Sequence, residues 1–285
     1  MDIEALKAFE IVAKYGSISQ AADELNYSQS NVTAKIHKLE QQLNTTLLYR
    51  HNRGCVVTPK GQELLQYATQ IFHSIHTAEL AMQDEHNPTG DLKLGAMETT
   101  AAVRLPNLLA HYHQQFPNVN LTLKTGPTAQ LIEAVVDFKL DAAFVSGPVS
   151  HSSLQAKTIF QEEMVVVYPK GNEDIPLEAA TILVFKAGCS YRFHLESYLR
   201  HQGIKSYSLM EFGSLEAITG CVAAGLGITM LPRTVYDQYV RYYPLQAITV
   251  PKKFSLIETQ LIYRKENNSI PLRRFESLLL QQEEH

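Results

Sequence analysis

Residues 16–43 read GSISQAADELNYSQSNVTAKIHKLEQQL. Ser17 and Gln20 form an S-x-x-Q capping box, which opens a helix running through Leu25. Asn26 and Tyr27 make a tight turn. Ser28 then caps a second helix reaching about Leu43, with Val32, Ile36, Leu39 and Leu43 stacked at helical spacing as a buried stripe. Asn44 follows, and asparagine tolerates the left-handed conformation a helix end often needs. Two short helices joined by a tight turn, with small residues (Ala21, Ala22) at their contact, describe a helix-turn-helix.

Upstream, residues 3–14 form a helix with Ile3, Leu6, Phe9, Val12 and Ala13 on one face, stopped by Gly16. Downstream, 47–49 and 56–58 read as two short strands. The tip between them, Arg50-His51-Asn52-Arg53-Gly54, is basic, so the hairpin reads as a wing. Pro59 opens a long helix without internal Gly or Pro, ending before Asn87-Pro88-Thr89-Gly90. Leu64, Ala68, Ile71, Ile75, Ala78 and Met82 alternate spacings of four and three, which predicts a self-pairing seam. The alternative is an amphipathic helix packed on its own domain.

From residue 91 onward strand and helix patterns alternate, which implies α/β architecture with a mostly parallel sheet. The expected organisation is a DNA-binding unit at 1–60, a linker helix at 61–86 and a hinge at 87–90. Two sensor lobes follow, 91–160 with 266–285 and 161–265.

The 285 residues are 45% hydrophobic and 19% charged, which supports a buried core. No apolar run is long enough to span a bilayer, and the start Met1-Asp2-Ile3-Glu4 lacks a signal peptide's pattern, so the expected compartment is the cytoplasm, with no membrane contact. Cys55, Cys189 and Cys221 are odd in number and far apart, against a disulfide framework. The formal net charge is −4, yet residues 28–60 carry Lys35, Lys38, Arg50, Arg53 and Lys60 against the single acid Glu40. A local basic footprint is all that phosphate neutralisation needs; a chance cluster of solvated charges is the bland alternative.

On the helix after Ser28, the face opposite the apolar stripe carries Ser30, Ala34, His37 and Gln41, flanked by Asn31, Thr33 and Lys38. A small polar face suits the major groove of double-stranded operator DNA. There Asn31 can read adenine, Ser30 and Thr33 can bond groove edges or phosphate, and Ala34 can touch a thymine methyl. Lys35 and Lys38 sit toward the sides, as phosphate contacts, and Arg53 at the wing tip suits a narrow minor groove.

These residues make the chain resemble a LysR-type transcriptional regulator. The resemblance runs through Gly16-Ser17-Ile18, Ala21-Ala22, Ser28-Gln29-Ser30-Asn31-Val32-Thr33, Leu39-Glu40, Arg50 and Thr58-Pro59. In the second part it continues at Phe116-Pro117, Leu140-Asp141-Ala142-Ala143, Val222-Ala223-Ala224-Gly225-Leu226-Gly227-Ile228 and Leu231-Pro232. It adds Ser28, Gln29 and Arg50 to the candidate DNA contacts. It implies a two-lobed, periplasmic-binding-protein-like sensor domain with a small effector between the lobes. It also implies homodimers joined through the linker helix, often paired into homotetramers, and RNA polymerase as the partner at target promoters. Ser30 stands where the family frequently has Pro, and Asn44 replaces a common Gly.

In open α/β sheets ligands bind beyond strand C-termini, next to helix N-termini. Three places fit: Glu98-Thr99-Thr100, Ser146-Gly147, and Gly188-Cys189-Ser190-Tyr191-Arg192. By resemblance the first and third line the effector pocket, although Thr99, Thr100 and Ser190 also read as helix caps. Arg192 would add a bidentate donor for a carboxylate, which points to an anionic or strongly hydrogen-bonding effector, unless it pairs with a protein acid. Cys189 beside Tyr191 and Arg192 suggests a lowered thiol pKa, against the reading of a small buried residue. His111 with His113, and His73 with His76, lack the spacing or the third ligand for a metal. No nucleophile–base constellation, Walker motif or dinucleotide fingerprint is present, so no cofactor and no enzymatic activity are expected. A transporter's solute-binding protein would explain the second part but not the basic winged start.

Overall fold

The computed structural model describes residues 1–51, 54–82, 84–171, 176–186 and 188–283. The chain divides into two compact units, Met1–His76 and Thr77–His285.

The first unit contains α1 (Ile3–Tyr15), α2 (Ile18–Leu25), α3 (Gln29–Leu43), the hairpin β1 (Leu48–His51) and β2 (Gly54–Val57), and the start of α4 (Pro59–Ala81). The side chains of Asp2, Ser17 and Ser28 accept hydrogen bonds from the first turns of α1, α2 and α3. Each of these helices ends in a left-handed residue, Gly16, Asn26 and Asn44, at φ 62°, 53° and 47°. Leu6, Phe9, Val12, Ala21, Ala22, Val32, Ile36 and Leu39 form one buried cluster. Burying each large apolar side chain contributes about 1.5–3 kcal/mol. Three expected core positions are outside it: Ile3 is 54% exposed, Leu43 39%, and Ala13 is half-buried. They occupy the first and last turns of their helices, where the stripe runs past the partners that cover its middle.

The second unit contains β3 (Gly90–Ala96), α5 (Glu98–Val103), α6 (Leu105–Gln115), β4 (Val119–Thr125), α7 (Thr128–Val136), β5 (Ala142–Ser146) and β6 (Leu154–Pro169). There follow β7 (Ile182–Phe185), α8 (Ser190–His201), β8 (Leu209–Phe212), α9 (Leu215–Ala223), β9 (Thr229–Pro232) and α10 (Arg233–Tyr239). The chain closes with β10 (Leu245–Thr249), α11 (Lys252–Ser255), β11 (Leu256–Arg264) and α12 (Ile270–Glu283).

One sheet runs in the order β10-β6-β11-β5-β3-β4, with β9 also on β6; β7 and β8 pair separately. The sheet is mixed, against the expectation of mostly parallel pairing. β3 pairs in parallel with β4 and β5, but β11 is antiparallel to β5 and β6, and β9 and β10 are antiparallel to β6. The long strand β6 is the cause. Its first part pairs with β11 and its last part with β9 and β10, so it carries the chain from one half of the unit to the other. Strand β11 returns inside the first half's sheet, so the lobe boundary drawn at 265 moves to about the start of β11.

Each half is covered on both faces. In the first, Leu105, Leu108 and Phe275 pack on one side and Leu131 and Val135 on the other. In the second, Met164, Val166 and Tyr168 of β6 face Leu195 and Leu199 of α8, while Val165 and Val167 face Ile218 and Val222 of α9, as strand alternation requires. Gly227, read from sequence as turn geometry, is fixed by a close approach: a Cβ there would lie 2.1 Å from the Thr181 carbonyl oxygen. Among the described residues no helix is long and apolar enough to cross a membrane.

Candidate functional site

Helix α3 buries Val32, Ile36 and Leu39 completely, which turns its other side outward. Ser28, Gln29, Ser30, Asn31, Ala34 and Lys38 are exposed, and Thr33 is half-buried at the edge of this face. The start of the helix is held firmly. Ser28 Oγ accepts from the Asn31 N–H at 3.2 Å and lies 3.0 Å from Ser30 Oγ, and Gln29 Nε2 donates to Ser19 Oγ of α2 at 3.1 Å. Asn31 therefore presents its carboxamide from a capped, anchored first turn.

The structure sorts the basic residues that the sequence grouped together. Lys35 Nζ donates to Glu4 at 2.6 Å and lies 5.4 Å from the centre of the Tyr27 ring, and that hydrogen bond holds its pKa above the ordinary lysine value. Arg50 donates to Glu40 at 3.1 Å, while the other oxygen of Glu40 accepts from the backbone N–H of Leu47 and Leu48. Arg50 thus helps fix the root of the wing. Lys38 has no side-chain partner among the described residues. Arg53, expected at the wing tip, lies outside the described residues.

The expected pairing seam on α4 is divided. Ala68 is fully buried in the first unit's own core, and Leu64 and Ile71 pack against that core. Ile75 is half-buried and Ala78 exposed. For Leu64, Ala68 and Ile71 the single-domain packing considered as the alternative is the one observed.

In the second unit a cavity of 170 Å³ opens beyond strand C-termini of both halves. One wall is Met97 to Thr99 at the start of α5 and Thr125 to Thr128 at the end of β4 and beyond; the other is Phe185 and Lys186 at the end of β7, Cys189 to Tyr191 at the start of α8, and Phe212 and Gly213 at the end of β8. The hydroxyls of Thr99 and Tyr191 meet across it at 2.7 Å. Burial pushes the Tyr191 phenol far up in pKa, and the Glu162 charge adds to the effect. Ser190 Oγ is buried without a hydrogen-bond partner among the described residues. Thr100 Oγ1 is likewise buried and unpartnered, but Thr100 does not line this cavity.

Ser146 and Arg192 line an adjoining, more open groove that shares Thr128, Cys189 and Ser190 with the cavity. Arg192 is already committed: it donates to Glu196 at 2.9 Å and also to Glu211. The expectation of a free bidentate donor is corrected, and the pairing with protein acids is what the fold adopts. The lowered thiol pKa suggested for Cys189 is also corrected, because burial pushes that thiol up.

Sequence reasoning missed several contributors to the cleft, among them Lys186, Phe212 and Thr128. Lys186 follows β7 and Phe212 ends β8, a strand of only four residues that gave no periodic signal. Thr128 supports the floor, its Oγ1 accepting from the Ser146 N–H at 3.1 Å. Where β6 crosses between the halves, the buried carboxylate of Glu162 accepts from Arg104 at 3.3 Å, Thr234 at 3.2 Å and Thr259 at 3.4 Å. A buried carboxylate with three donors from different elements pins the crossing point.

Residues 3–62 match the family described as bacterial regulatory helix-turn-helix protein, lysR family, and residues 85–284 match the LysR substrate binding domain. The chain is 46% identical over 275 residues to the HTH-type transcriptional regulator GltR of Bacillus subtilis (strain 168), across 95% of this chain and 93% of that protein. Among solved structures it is similar to ArgP from Mycobacterium tuberculosis, with TM-score 0.74 and 15% identity over 99% of this chain and 97% of that one. It is also similar to full-length CbnR solved with its target DNA, with TM-score 0.68 and 21% identity over 99% of each chain. At those identities the two structures speak for the fold.

Proposed function

The chain belongs to the LysR family of transcriptional regulators, and from that premise we propose how its own residues divide the work. Helix α3 enters the major groove of operator DNA, with Asn31 reading a base edge, Ser30, Thr33 and Ala34 completing the contact, and Lys38 neutralising phosphate. Lys35 adds to that charge by exchanging Glu4, whose side chain is 64% exposed, for a phosphate. Arg50 supports the wing.

The protein acts as a homodimer or homotetramer joined through α4, with the contact displaced toward Ile75 and Ala78 because the earlier seam positions are used internally. It works on the chromosome in the cytoplasm, with RNA polymerase as its partner at the promoter. A small-molecule effector occupies the cleft between the lobes and favours one lobe arrangement over another.

The observation that carries the DNA reading is the exposed polar face of α3 around Asn31, opposite three fully buried aliphatic residues. A gel-shift assay on the DNA upstream of the protein's own gene tests it. Wild type retards that duplex in preference to an unrelated one, and Asn31→Ala reduces the preference while retaining non-specific binding. An unchanged preference in Asn31→Ala overturns the assignment.

A further inference from the structure

The wall of the cavity carries two charged side chains, Glu98 from one half of the unit and Lys186 from the other. Neither has a side-chain hydrogen bond or ion pair among the described residues. The arginine nearest in sequence, Arg192, is occupied by Glu196 and Glu211 and lines the outer groove. The cavity therefore carries one half-buried carboxylate and, at its exposed edge, one ammonium, neither held by another side chain among the described residues. It also offers the unpartnered hydroxyl of Ser190. The Thr99–Tyr191 contact joins two hydroxyls by one hydrogen bond, so one O–H hydrogen is left over.

We propose that the effector is a small zwitterion of the α-amino acid class, its ammonium held by Glu98 and its carboxylate by Lys186 and Ser190. This rests on the cleft reading above and sharpens it. A simple carboxylic acid that met Lys186 would still leave Glu98 without a counter-charge, and a simple amine would leave Lys186 so; a molecule with both groups satisfies both walls. The size agrees. A cavity of about 150 Å³ accommodates benzene, so 170 Å³ suits a molecule of roughly six to ten non-hydrogen atoms. Met97, Pro127, Phe185 and Phe212 supply most of the apolar part of the wall, and neither they nor the neighbouring Thr125 and Thr128 carry a charge, which selects a short, uncharged side chain.

The test is calorimetric titration of the full-length protein, dialysed free of small molecules, with each of the common L-amino acids. Each one that binds is followed by its two truncated analogues, the acid without the amino group and the amine without the carboxylate. At least one amino acid binds, and both of its analogues bind at least about tenfold more weakly, the cost of losing a charged hydrogen bond. Glu98→Gln weakens the amino acid by about ten- to a hundredfold without weakening the des-amino acid. Lys186→Met weakens both, and Lys186→Arg restores them. The proposal is overturned if no amino acid binds, if the des-amino acid binds equally well, or if Glu98→Gln leaves the affinity unchanged.

Gly126→Leu separates this failure from failure of the cleft reading. Gly126 lines the cavity and a Cβ there meets nothing closer than 3.8 Å, so the backbone accepts a side chain at this position and leucine adds bulk at the cavity wall. If only an acid or an amine binds and Gly126→Leu abolishes that binding, the cleft stands and the zwitterion falls. Binding that survives Gly126→Leu overturns both.

Discussion

The two functional regions are built on different principles. The residues proposed to face the groove come from eleven consecutive positions, 28–38, and α3 with its cap and one buried stripe orients them all. The cleft is assembled from Glu98–Thr99, Thr125–Thr128, Lys186–Tyr191 and Phe212–Gly213, brought together by strand ends from two halves of a sheet that a single long strand joins. A local face survives any change that leaves its helix intact, whereas a distributed site depends on how the halves are held.

The strongest way to break the comparison is to unfold one region and watch the other. Ile36→Asp places an unpaired carboxylate in the first unit's core and costs about 3 kcal/mol or more. Calorimetry should show loss of the first unit's transition, and DNA binding should vanish. Ligand binding by the second unit should persist; its simultaneous loss would mean the regions are not separable. Next in size is Asn31→Ala, with a loss of about 1–3 kcal/mol of discrimination at one base position. Competition against single-base operator variants checks this, and an even loss over all positions would mean that Asn31 contacts only the backbone.

Tyr191→Phe addresses the distributed site. It removes the hydroxyl bridge to Thr99 and leaves one buried hydroxyl unpaired, for about 1 kcal/mol in thermal stability. Effector affinity should change while DNA affinity without effector stays constant. The smallest effect separates free from committed charges. Lys38→Ala should lower the slope of log affinity against log salt by about 0.9, one phosphate contact. Arg50→Ala should lower it less, because Arg50 is already bound to Glu40. Equal slopes for the two variants would undo the distinction drawn between them.

How much the sequence disclosed follows the same division. Ser17, Ser28 and Asn44 announced the limits of α2 and α3 to within a residue or two, because caps are local chemistry. The burial of Val32, Ile36 and Leu39 followed from spacing alone. Periodicity alone did not decide the use of the seam on α4, since Ala68 and Ile71 satisfy equally well a partner helix and their own domain, and within the chain they pack on their own domain. In the second unit the apolar end of β6, Met164 to Tyr168, was legible, but its charged, alternating first half was not, and with it went the mixed pairing. The Arg192–Glu196 pair was within reach, as an i, i+4 couple on one helix. Lys186 in one cavity with Glu98 was not, because only the tertiary fold brings together residues 88 apart in sequence.

The central claim is sequence-specific DNA binding through α3, and fluorescence anisotropy tests it directly. Full-length protein is titrated at physiological salt against a labelled duplex from upstream of its own gene and against an unrelated duplex of equal length. The account predicts that the upstream duplex binds about 10³-fold tighter or better, and that Asn31→Ala erases much of that ratio. Equal affinity for the two duplexes, or a ratio untouched by Asn31→Ala, would contradict it.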